Sequence, residues 1–377
     1  MRKAFISPTK YVQGEDELKN LGYYVSQFGK KALIVGKDED IERVREKLDF
    51  TKDKFNIEFV DANFQGEVTR NEIERLQTLQ EEHNCDAVVG LGGGKACDTA
   101  KCVAEGKNVI IAPTIVAQDA PTSHSAVVYH EDGSFDDYAY FESSPSVILI
   151  DTTVIANAPT RFLLAGMGDA LATYFEARAT RHSYSNVNAG LPNGVREGAA
   201  DEAKGTNAAF ALAKLSYEML LEHGKAAKIA SDINQVTPAL EDIIETNVLL
   251  SGLGFESGGL AAVHAIYNGI SILHEKYDAL HGEIVSFGTL CQLVLENAPK
   301  EELEEVMAFQ ASVGLPMTLA DIGLDEITDE ELQAVAEKAL IPEESIHAMP
   351  FDVTVEAVKA AILAADKLGQ SYKENYQ

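Results

Sequence analysis

The stretch GLGGGKACDTAK, residues 90–101, decides the fold because three consecutive glycines and a lysine join an apolar run to a helical sequence. It does not match the P-loop of nucleoside-triphosphate-binding proteins, which requires glycine and a Ser or Thr where this chain has Val89 and Ala96. The dinucleotide fingerprint G-x-G-x-x-G fits the first two glycines but requires another where Lys95 stands. Glycines still let backbone amides approach a phosphate, and a helix N-terminus favours negative charge, so the stretch predicts a phosphate cradle. The alternative is a tight turn that carries a spare lysine.

Short β-branched runs alternate with helical stretches from residue 1 to about residue 155. Strands are predicted for KALIVG (31–36), FNIEFVD (55–61), the run that leads into the glycines (86–95), NVIIAPT (108–114) and SVILID (146–151). Helices are predicted for residues 39–48, 69–82 and the segment after the glycines, and a hairpin for residues 124–141 with its turn at Asp132-Gly133. Strands that alternate with helices indicate a doubly wound parallel sheet. Ligands of such sheets bind at the carboxyl ends of the strands, where the glycine turn lies.

The sequence after Pro159 is helical in pattern. Long helical stretches cover residues 161–180, 208–224, 239–254 and 301–314. Between the first two of them, residues 182–205 are polar and contain four glycines and three asparagines, a composition that predicts a long, mobile loop. The chain is therefore predicted to form an α/β domain followed by an all-helical domain.

Composition and charge narrow the classes of partner. The chain has 377 residues, is 46% hydrophobic and carries a formal net charge of −29. Such acidity repels phosphate backbones, so nucleic acid is not expected as a partner. No membrane partner is expected, because the first residues lack the apolar core of a signal peptide and the longest uncharged run, residues 257–274, is interrupted by polar residues. Four cysteines without a C-x-x-C pair or disulfide spacing indicate reduced thiols in a cytoplasmic protein.

Candidate metal ligands occur in the helical half. Asp169 stands among small and apolar residues, where a carboxylate either faces positive charge or caps a helix. His264 lies in a nearly uncharged helix after a glycine pair, where a core histidine is the alternative, and His281 begins the next helix. One carboxylate and two imidazoles are a common set of zinc ligands that leaves a fourth position for water or substrate. The spacing of the two histidines is not diagnostic, and His274 is a rival donor.

A second acid, Asp119, follows the predicted strand 108–114 in a loop rich in Pro and Ser. An acid in a loop is usually a solvated turn residue. This one lies at the end of the strand next to the glycine turn, where a ligand of the sheet would bind. It is therefore a candidate binding residue.

Five stretches together resemble the metal-dependent, so-called iron-containing, alcohol dehydrogenases, and among them the bacterial enzymes that oxidise glycerol. They are GLGGGKACDTAK (90–101), APTIVAQDAPTS (112–123), LIDTTVIANAPTRFLLAGMGDALATYFEA (149–177), LLSGLGFESGGLAAVHAIYNG (249–269) and HGEIVSFGTLCQLVLEN (281–297). The resemblance extends over nearly the whole chain. It implies a fold similar to that of dehydroquinate synthase, with a nucleotide-binding α/β domain, residues 1–158, and an all-helical metal- and substrate-binding domain, residues 159–377.

The resemblance also implies an activity, the NAD-dependent oxidation of glycerol to dihydroxyacetone with one zinc per chain as the Lewis acid. It implies that Asp169, His264 and His281 bind the metal and that Asp119 lines the glycerol pocket, and these four residues are the expected catalytic set. The expected cofactor-binding residues are Asp38, Gly92, Gly93, Gly94, Lys95, Asp98, Thr114, Ser123, Ser125 and Tyr129. A homo-oligomer, with an octamer as the expected form, is implied as well.

Three features depart from the family pattern. Thr173 stands where iron-binding relatives carry a further histidine, and three protein ligands with an open position suit zinc better than iron. Asp38 follows Lys37 and stands one position later than the family's ribose-binding aspartate, so NAD is expected to be preferred but NADP to be tolerated better than usual. The long polar loop is longer than in typical members, and Gln118 and His124 replace smaller residues beside the pocket.

Two functions of other classes compete with this interpretation, a lyase of the dehydroquinate synthase type and a non-enzymatic metal or nucleotide binder. The phosphorylated substrate of the lyase requires several Lys or Arg residues near the metal, whereas residues 251–291 contain only Lys276. A mere binder does not need both a metal triad and a cofactor cradle. The sequence therefore predicts a dehydrogenase of glycerol and related vicinal diols, with a different small polyol or hydroxy acid as the alternative substrate.

Overall fold

The computed structural model describes residues 1–190 and 202–376. The middle of the loop predicted for residues 182–205 lies outside the described residues. Before the gap, a helix continues to Ser183 and a 3-10 turn covers Asn188–Gly190. After it, Lys204 forms an isolated parallel bridge with Lys3.

The described residues contain eight strands and fifteen α-helices. The strands are β1 (Lys10–Gly14), β2 (Lys31–Gly36), β3 (Glu58–Asn63), β4 (Ala87–Gly92), β5 (Val109–Pro113), β6 (Ser125–Tyr129), β7 (Phe135–Tyr140) and β8 (Val147–Asp151). The helices are α1 (Leu21–Val25), α2 (Asp38–Arg43), α3 (Arg45–Phe55), α4 (Arg70–Glu82), α5 (Gly94–Val103), α6 (Thr152–Ala156), α7 (Thr160–Ser183), α8 (Asn207–Asp232), α9 (Pro238–Glu245), α10 (Ser251–Gly258), α11 (Ala262–Ile270), α12 (His281–Leu295), α13 (Lys300–Val313), α14 (Asp329–Ala339) and α15 (Val355–Tyr376). A π-helical turn, Thr246–Leu250, joins α9 to α10.

Six of the strands form one parallel sheet in the order β1-β8-β5-β4-β2-β3, and β6 and β7 form a separate antiparallel hairpin. The central strands β2, β4, β5 and β8 are apolar and almost fully buried, because helices cover both faces of the sheet. Along β2, Leu33 and Val35 pack into one core, whereas Ala32 and Ile34 pack into the other. The doubly wound parallel sheet and the hairpin predicted from the sequence are confirmed.

Two predicted elements of this region have wrong bounds, and one strand was not predicted. The single helix predicted for residues 39–48 is two helices, because Val44 leaves the helical conformation between α2 and α3. The strand predicted from Phe55 begins at Glu58, because α3 includes Phe55 and Asn56 ends that helix in the left-handed conformation. The strand β1 was not predicted, and it pairs with β8 at one edge of the sheet.

The regular elements described from Thr160 onward are helices, as predicted. Two of them, α7 and α12, approach backbone to backbone. A Cβ on Gly282 would lie 1.8 Å from the carbonyl oxygen of Ala165, and a Cβ on Gly168 would lie 2.2 Å from the carbonyl oxygen of Gly282. Neither position has room for a side chain, so the two glycines let the first turn of α12 lie directly on α7.

Within the described residues, a search for helices of the length and hydropathy needed to cross a bilayer finds no single one. Only a pair bent by 101°, Pro238–Gly258 with Ala262–Lys276, meets both criteria when taken together.

Candidate functional site

The glycine turn lies at the carboxyl end of β4, the edge at which doubly wound sheets bind their ligands. Gly92 has a φ of 148°, and Gly94 is the first residue of α5. The first N–H groups of a helix have no acceptor within it, and the helix dipole is positive there, so this turn suits a phosphate group. The turn is fixed to the next strand, because the N–H of Thr114 donates to the carbonyl oxygen of Gly92 at 2.9 Å.

Three side chains from three helices converge in the helical half: Asp169 of α7, His264 of α11 and His281 of α12. Their ligand atoms lie within 4.8 Å of one another. The Nε2 atoms of His281 and His264 lie 3.2 Å and 3.4 Å from the same oxygen, Oδ1 of Asp169. The rival His274 is exposed on a separate turn, where its Nδ1 lies 3.2 Å from the carbonyl oxygen of Ser271. One carboxylate and two imidazoles are the donors that a divalent metal ion such as zinc takes, so these residues fit a metal ion.

Glu176, which was not predicted from the sequence, orients His264. Asp169, Thr173 and Glu176 share one face of α7 because successive members are four and three residues apart. The carboxylate of Glu176 is fully buried, with its Oε2 2.5 Å from Nδ1 of His264, and its Oε1 accepts the N–H groups of Ala261 and His264. A carboxylate bound to one ring nitrogen directs the other, Nε2, toward a metal ion. The spacing of seven residues from Asp169 is the sequence signal that could have identified it.

The carboxylates of Asp169 and Glu176 favour a positive charge among the three metal donors. Burial alone would raise the pKa of Asp169, but the charges and hydrogen bonds of His281 and His264 outweigh burial and hold that pKa well below its usual range. Burial alone would lower the pKa of His264, but Glu176 and Asp169 outweigh it and raise that pKa well above its usual value. Buried carboxylates need a cation beside them, and a metal ion can take the place of the proton.

Asp119 lies beside the three donors, and its backbone N–H donates to Oδ2 of Asp169 at 3.1 Å. Its own Oδ2 accepts a hydrogen bond of 2.6 Å from the hydroxyl of Ser251, which lies 2.8 Å from the hydroxyl of Thr173. Burial, followed by the negative charge of Asp169, raises the pKa of Asp119 well above its usual range. Thr173 therefore contacts Ser251, which in turn binds Asp119. Ser251 was not predicted from the sequence.

The segment that carries Asp119, residues 114–124, is called here the Asp119 loop. Further hydrogen bonds fasten it to the helical half. Asn247 Nδ2 donates to the carbonyl oxygen of Val116 at 3.2 Å, and Thr122 Oγ1 donates to the carbonyl oxygen of Val248 at 3.4 Å. The backbone N–H of His124 donates to Glu256 Oε1 at 2.7 Å, and Nδ1 of the same histidine lies 2.5 Å from that oxygen. The side chains of His124 and Glu256 are both buried. The Asp119 loop is thus held against the π-helical turn, α10 and α7, although it follows a strand of the sheet.

A buried lysine holds the other side of this loop. Lys101 of α5 is 1% exposed. Its Nζ donates to Asp98 Oδ1 at 3.1 Å, to Ser123 Oγ at 3.0 Å and to the carbonyl oxygens of Ala120 and Ser125 at 2.5 Å and 3.0 Å. Four acceptors around one ammonium compensate for its burial. Lys101 therefore connects α5 to the Asp119 loop through Ala120 and Ser123, and to the start of β6 through Ser125. Asp98, on the same helix as Lys101, pairs with its ammonium group.

Lys95 and Tyr129 lie together beside the glycine turn. The Nζ of Lys95 is 2.6 Å from Glu67 Oε2 and 5.4 Å from the centre of the Tyr129 ring. The lysine predicted to bind phosphate thus has its charge paired with a carboxylate in this structure. Burial, followed by the charges of Asp98 and Glu67, raises the pKa of Tyr129.

Asp38, the predicted ribose-binding acid, is the exposed first residue of α2, and its backbone N–H donates to Asn63 Oδ1 at 3.2 Å. A second acid on the same helix, Asp40, reaches the glycine turn, since its Oδ2 would lie 3.6 Å from a Cβ on Gly92. Asp40 was not among the residues predicted to bind the cofactor. The first turn of α2 therefore carries three carboxylates, Asp38, Glu39 and Asp40, and directly follows the exposed Lys37.

Comparisons with known proteins agree with this architecture. The sequence model of the family described as iron-containing alcohol dehydrogenase matches residues 8–152. The chain is 46% identical to the glycerol dehydrogenase of Thermotoga maritima over 98% of each chain, and 44% identical to that of Escherichia coli O6:H1 over the full length of both. The crystal structure of glycerol dehydrogenase from Schizosaccharomyces pombe matches with a TM-score of 0.92 at 35% identity, covering 99% of this chain and 92% of that one. The chain belongs to the iron-containing alcohol dehydrogenase family.

Proposed function

We propose that this protein oxidises glycerol to dihydroxyacetone, and related vicinal diols to the corresponding ketones, with NAD as the hydride acceptor. The observation that carries the proposal is the contact between Asp119 and Asp169, because it joins an acid able to bind a hydroxyl to a group of three metal donors. The glycerol dehydrogenases to which the chain is 44% and 46% identical support the same activity. Membership of a dehydrogenase family argues against both the lyase and the non-enzymatic binder.

The metal donors are Asp169, His264 and His281, and we propose that they bind one zinc per chain. When bound, zinc supplies Lewis-acid polarisation of a substrate hydroxyl, which lowers the pKa of that hydroxyl. Three protein donors with an open position favour zinc over iron. Thr173 has no nitrogen donor to add to the site, and its hydroxyl contacts that of Ser251.

Asp119 orients the substrate in this proposal. Its Oδ2 is bound by Ser251, so Oδ1 is the oxygen available to a second hydroxyl of the substrate. A buried acceptor that is left without its donor costs free energy, so the site favours diols over simple alcohols. The Asp119 loop is fastened both to α5 by Lys101 and to the helical half, which holds this acid between the nucleotide edge and the metal donors.

The glycine turn and the N-terminus of α5 would bind the diphosphate of NAD, with the remaining predicted cofactor residues around it. When bound, NAD would accept the hydride, and Asp119 together with the metal donors would position the carbinol carbon for that transfer. The test is absorbance at 340 nm with NAD and glycerol, before and after treatment with a chelator. NADH should form, formation should stop when the metal is removed, and zinc should restore it. Absence of NADH formation in the zinc-loaded protein would contradict the proposal.

Asp119→Ala should weaken discrimination between diols and simple alcohols. In the protein as it stands, 1,2-propanediol, 2,3-butanediol and glycerol should be oxidised well and 2-propanol poorly. The ratio of kcat/KM for 1,2-propanediol over 2-propanol corresponds to a difference in activation free energy. The variant should reduce that difference by about 1–3 kcal/mol, the cost of leaving a buried hydrogen-bonding group without its partner. Asp132→Ala, which changes an exposed acid in the hairpin turn, is the control and should leave the ratio unchanged. If Asp119→Ala keeps the original ratio, Asp119 does not contact the substrate.

NAD should be preferred over NADP, because the carboxylates at the start of α2 repel a 2′-phosphate, whereas Lys37 attracts it. Lys37→Ala should therefore raise the ratio of kcat/KM for NAD over NADP by a few-fold, since an exposed charge pair contributes about 0.2–1 kcal/mol. Lys54→Ala, which removes an exposed lysine of α3, is the control. A preference of the unaltered protein for NADP would mean that Lys37, and not Asp38, faces the ribose.

We also propose a homo-oligomer, with an octamer as the expected form, on the basis of the family resemblance. Light scattering on the purified protein measures the mass directly. A monomer at micromolar concentration would contradict this assignment without affecting the proposed chemistry.

A further inference from the structure

Gln118 extends from the Asp119 loop to the first residue of α5. A Cβ built on Gly94 would lie 1.6 Å from Nε2 of Gln118 and 2.7 Å from its Cδ. The carboxamide therefore fills the space that any side chain at position 94 would occupy. Because Gly94 begins α5, the Gln118 amide lies at the end of the helix where backbone N–H groups are free and the dipole is positive.

The amide of Gln118 has hydrogen-bonding capacity to spare. The side chain is half-buried, and it forms no hydrogen bond with the part of the chain that the structure describes. Its Nε2 carries two donors, and the neighbouring backbone groups of α5 are donors as well, so none of them satisfies another. An acceptor with several oxygens, such as a phosphate group, would satisfy both kinds of donor at once.

The lysine of the glycine turn is engaged elsewhere. Nζ of Lys95 lies 2.6 Å from the carboxylate of Glu67, so its charge is already paired. Gln118 is a polar side chain that the structure holds over the start of α5. A neutral amide also suits a half-buried position better than a second ammonium, because its desolvation costs less free energy.

Gln118 is held in place from the helical half. Val116, two residues before it, accepts a hydrogen bond from Asn247, and Asp119, the next residue, donates its N–H to Asp169. The carboxamide is therefore attached to a backbone segment that the π-helical turn and α7 hold in place. A contact between Gln118 and the cofactor would connect the nucleotide site with the substrate acid one residue away.

We propose that Gln118 donates a hydrogen bond from Nε2 to a phosphate oxygen of the bound dinucleotide, and that it acts as a positioning residue between the cofactor and Asp119. The inference rests on the proposed binding of NAD at the glycine turn. It adds a neutral side-chain donor from the Asp119 loop to the backbone N–H groups of the glycine turn.

The experiment measures binding rather than turnover. NADH affinity is determined from the fluorescence of NADH itself, and ADP and adenosine are titrated as competitors. Gln118→Glu keeps the shape of the side chain but replaces the donor with a carboxylate, and Gln118→Ala removes both. Gln118→Glu should weaken NADH and ADP about 10- to 100-fold and Gln118→Ala about 10-fold, as expected for a hydrogen bond to a charged group. Adenosine, which has no phosphate, should compete equally well in all variants.

Gln77→Glu is the matched control, because it makes the same change at a half-buried glutamine of α4. It should bind all three ligands as the unaltered protein does. An unchanged ADP affinity in Gln118→Glu, or an equal loss of adenosine and ADP, would overturn the inference while leaving the proposed function intact. Failure of the unaltered protein to bind NADH would instead overturn the NAD assignment, and the inference with it.

Discussion

His281→Ala is expected to lose the metal ion and at least about 1000-fold in kcat/KM for glycerol. The variant leaves two donors, Asp169 and His264, where the structure brings three ligand atoms within 4.8 Å. Lewis-acid activation contributes several kcal/mol, and each 1.36 kcal/mol corresponds to a factor of about ten in rate. The measurements are zinc content by elemental analysis and the rate of NADH formation. NADH binding should persist, because the glycine turn lies on the other half of the molecule.

His274→Ala is the matched control for this variant. It removes an exposed imidazole seven residues earlier that takes no part in the three-donor group. Zinc content and turnover should equal those of the unaltered protein. Full zinc occupancy in His281→Ala would remove His281 from the ligand set, and loss of zinc in His274→Ala would place the rival histidine there.

Gly282→Ala should destabilise the fold by about 3 kcal/mol, at the upper end of the usual cost of overpacking. The added Cβ would lie 1.8 Å from the carbonyl oxygen of Ala165 and 2.6 Å from its carbonyl carbon, and backbone atoms cannot rotate away as a side chain can. Asp169 directly follows Gly168, and His281 directly precedes Gly282. Any separation of α12 from α7 therefore also separates His281 from Asp169. Denaturant unfolding with and without zinc, together with zinc content, measures both effects.

Gly14→Ala is the control for the added methyl group. A Cβ at Gly14 would have its nearest neighbour at 4.0 Å, the carboxylate of Glu17, so there is room for it. This variant should unfold within about 0.5 kcal/mol of the unaltered protein, as surface substitutions usually do. If Gly282→Ala unfolds as Gly14→Ala does, the helices tolerate a wider crossing than the structure has.

The sheet could be predicted from the sequence because its central strands are continuous apolar runs between turn residues. KALIVG coincides with β2, and SVILID is one residue longer than β8. Both strands are buried on two faces. The edge strand β1 escaped prediction, because KYVQG is short and half-buried and has no clear alternation. The break at Val44 escaped as well, since the sequence on both sides of it has the same helical composition.

The site was predicted less completely, because its supporting residues act across long sequence separations. Glu176 binds an imidazole 88 residues later, and Ser251 binds a carboxylate 132 residues earlier. Neither residue type is unusual in its local sequence, so only the packed helices reveal the role. Lys101 has a local partner in Asp98, but its contacts with the Asp119 loop depend on how α5 packs. The ligand and cofactor roles assigned to the predicted residues stay predictions until they are tested.

Helix α7 carries both Asp169 and the carboxylate that orients His264, and this limits how the gene can vary. One residue inserted or deleted between Asp169 and Glu176 would rotate everything beyond it by about 100° and shift it by about 1.5 Å along the axis. Glu176 would then face away from His264, and no relaxation of a loop could correct the error, because the segment is continuous helix. Natural or engineered variants can therefore exchange side chains along this stretch far more readily than they can change its length.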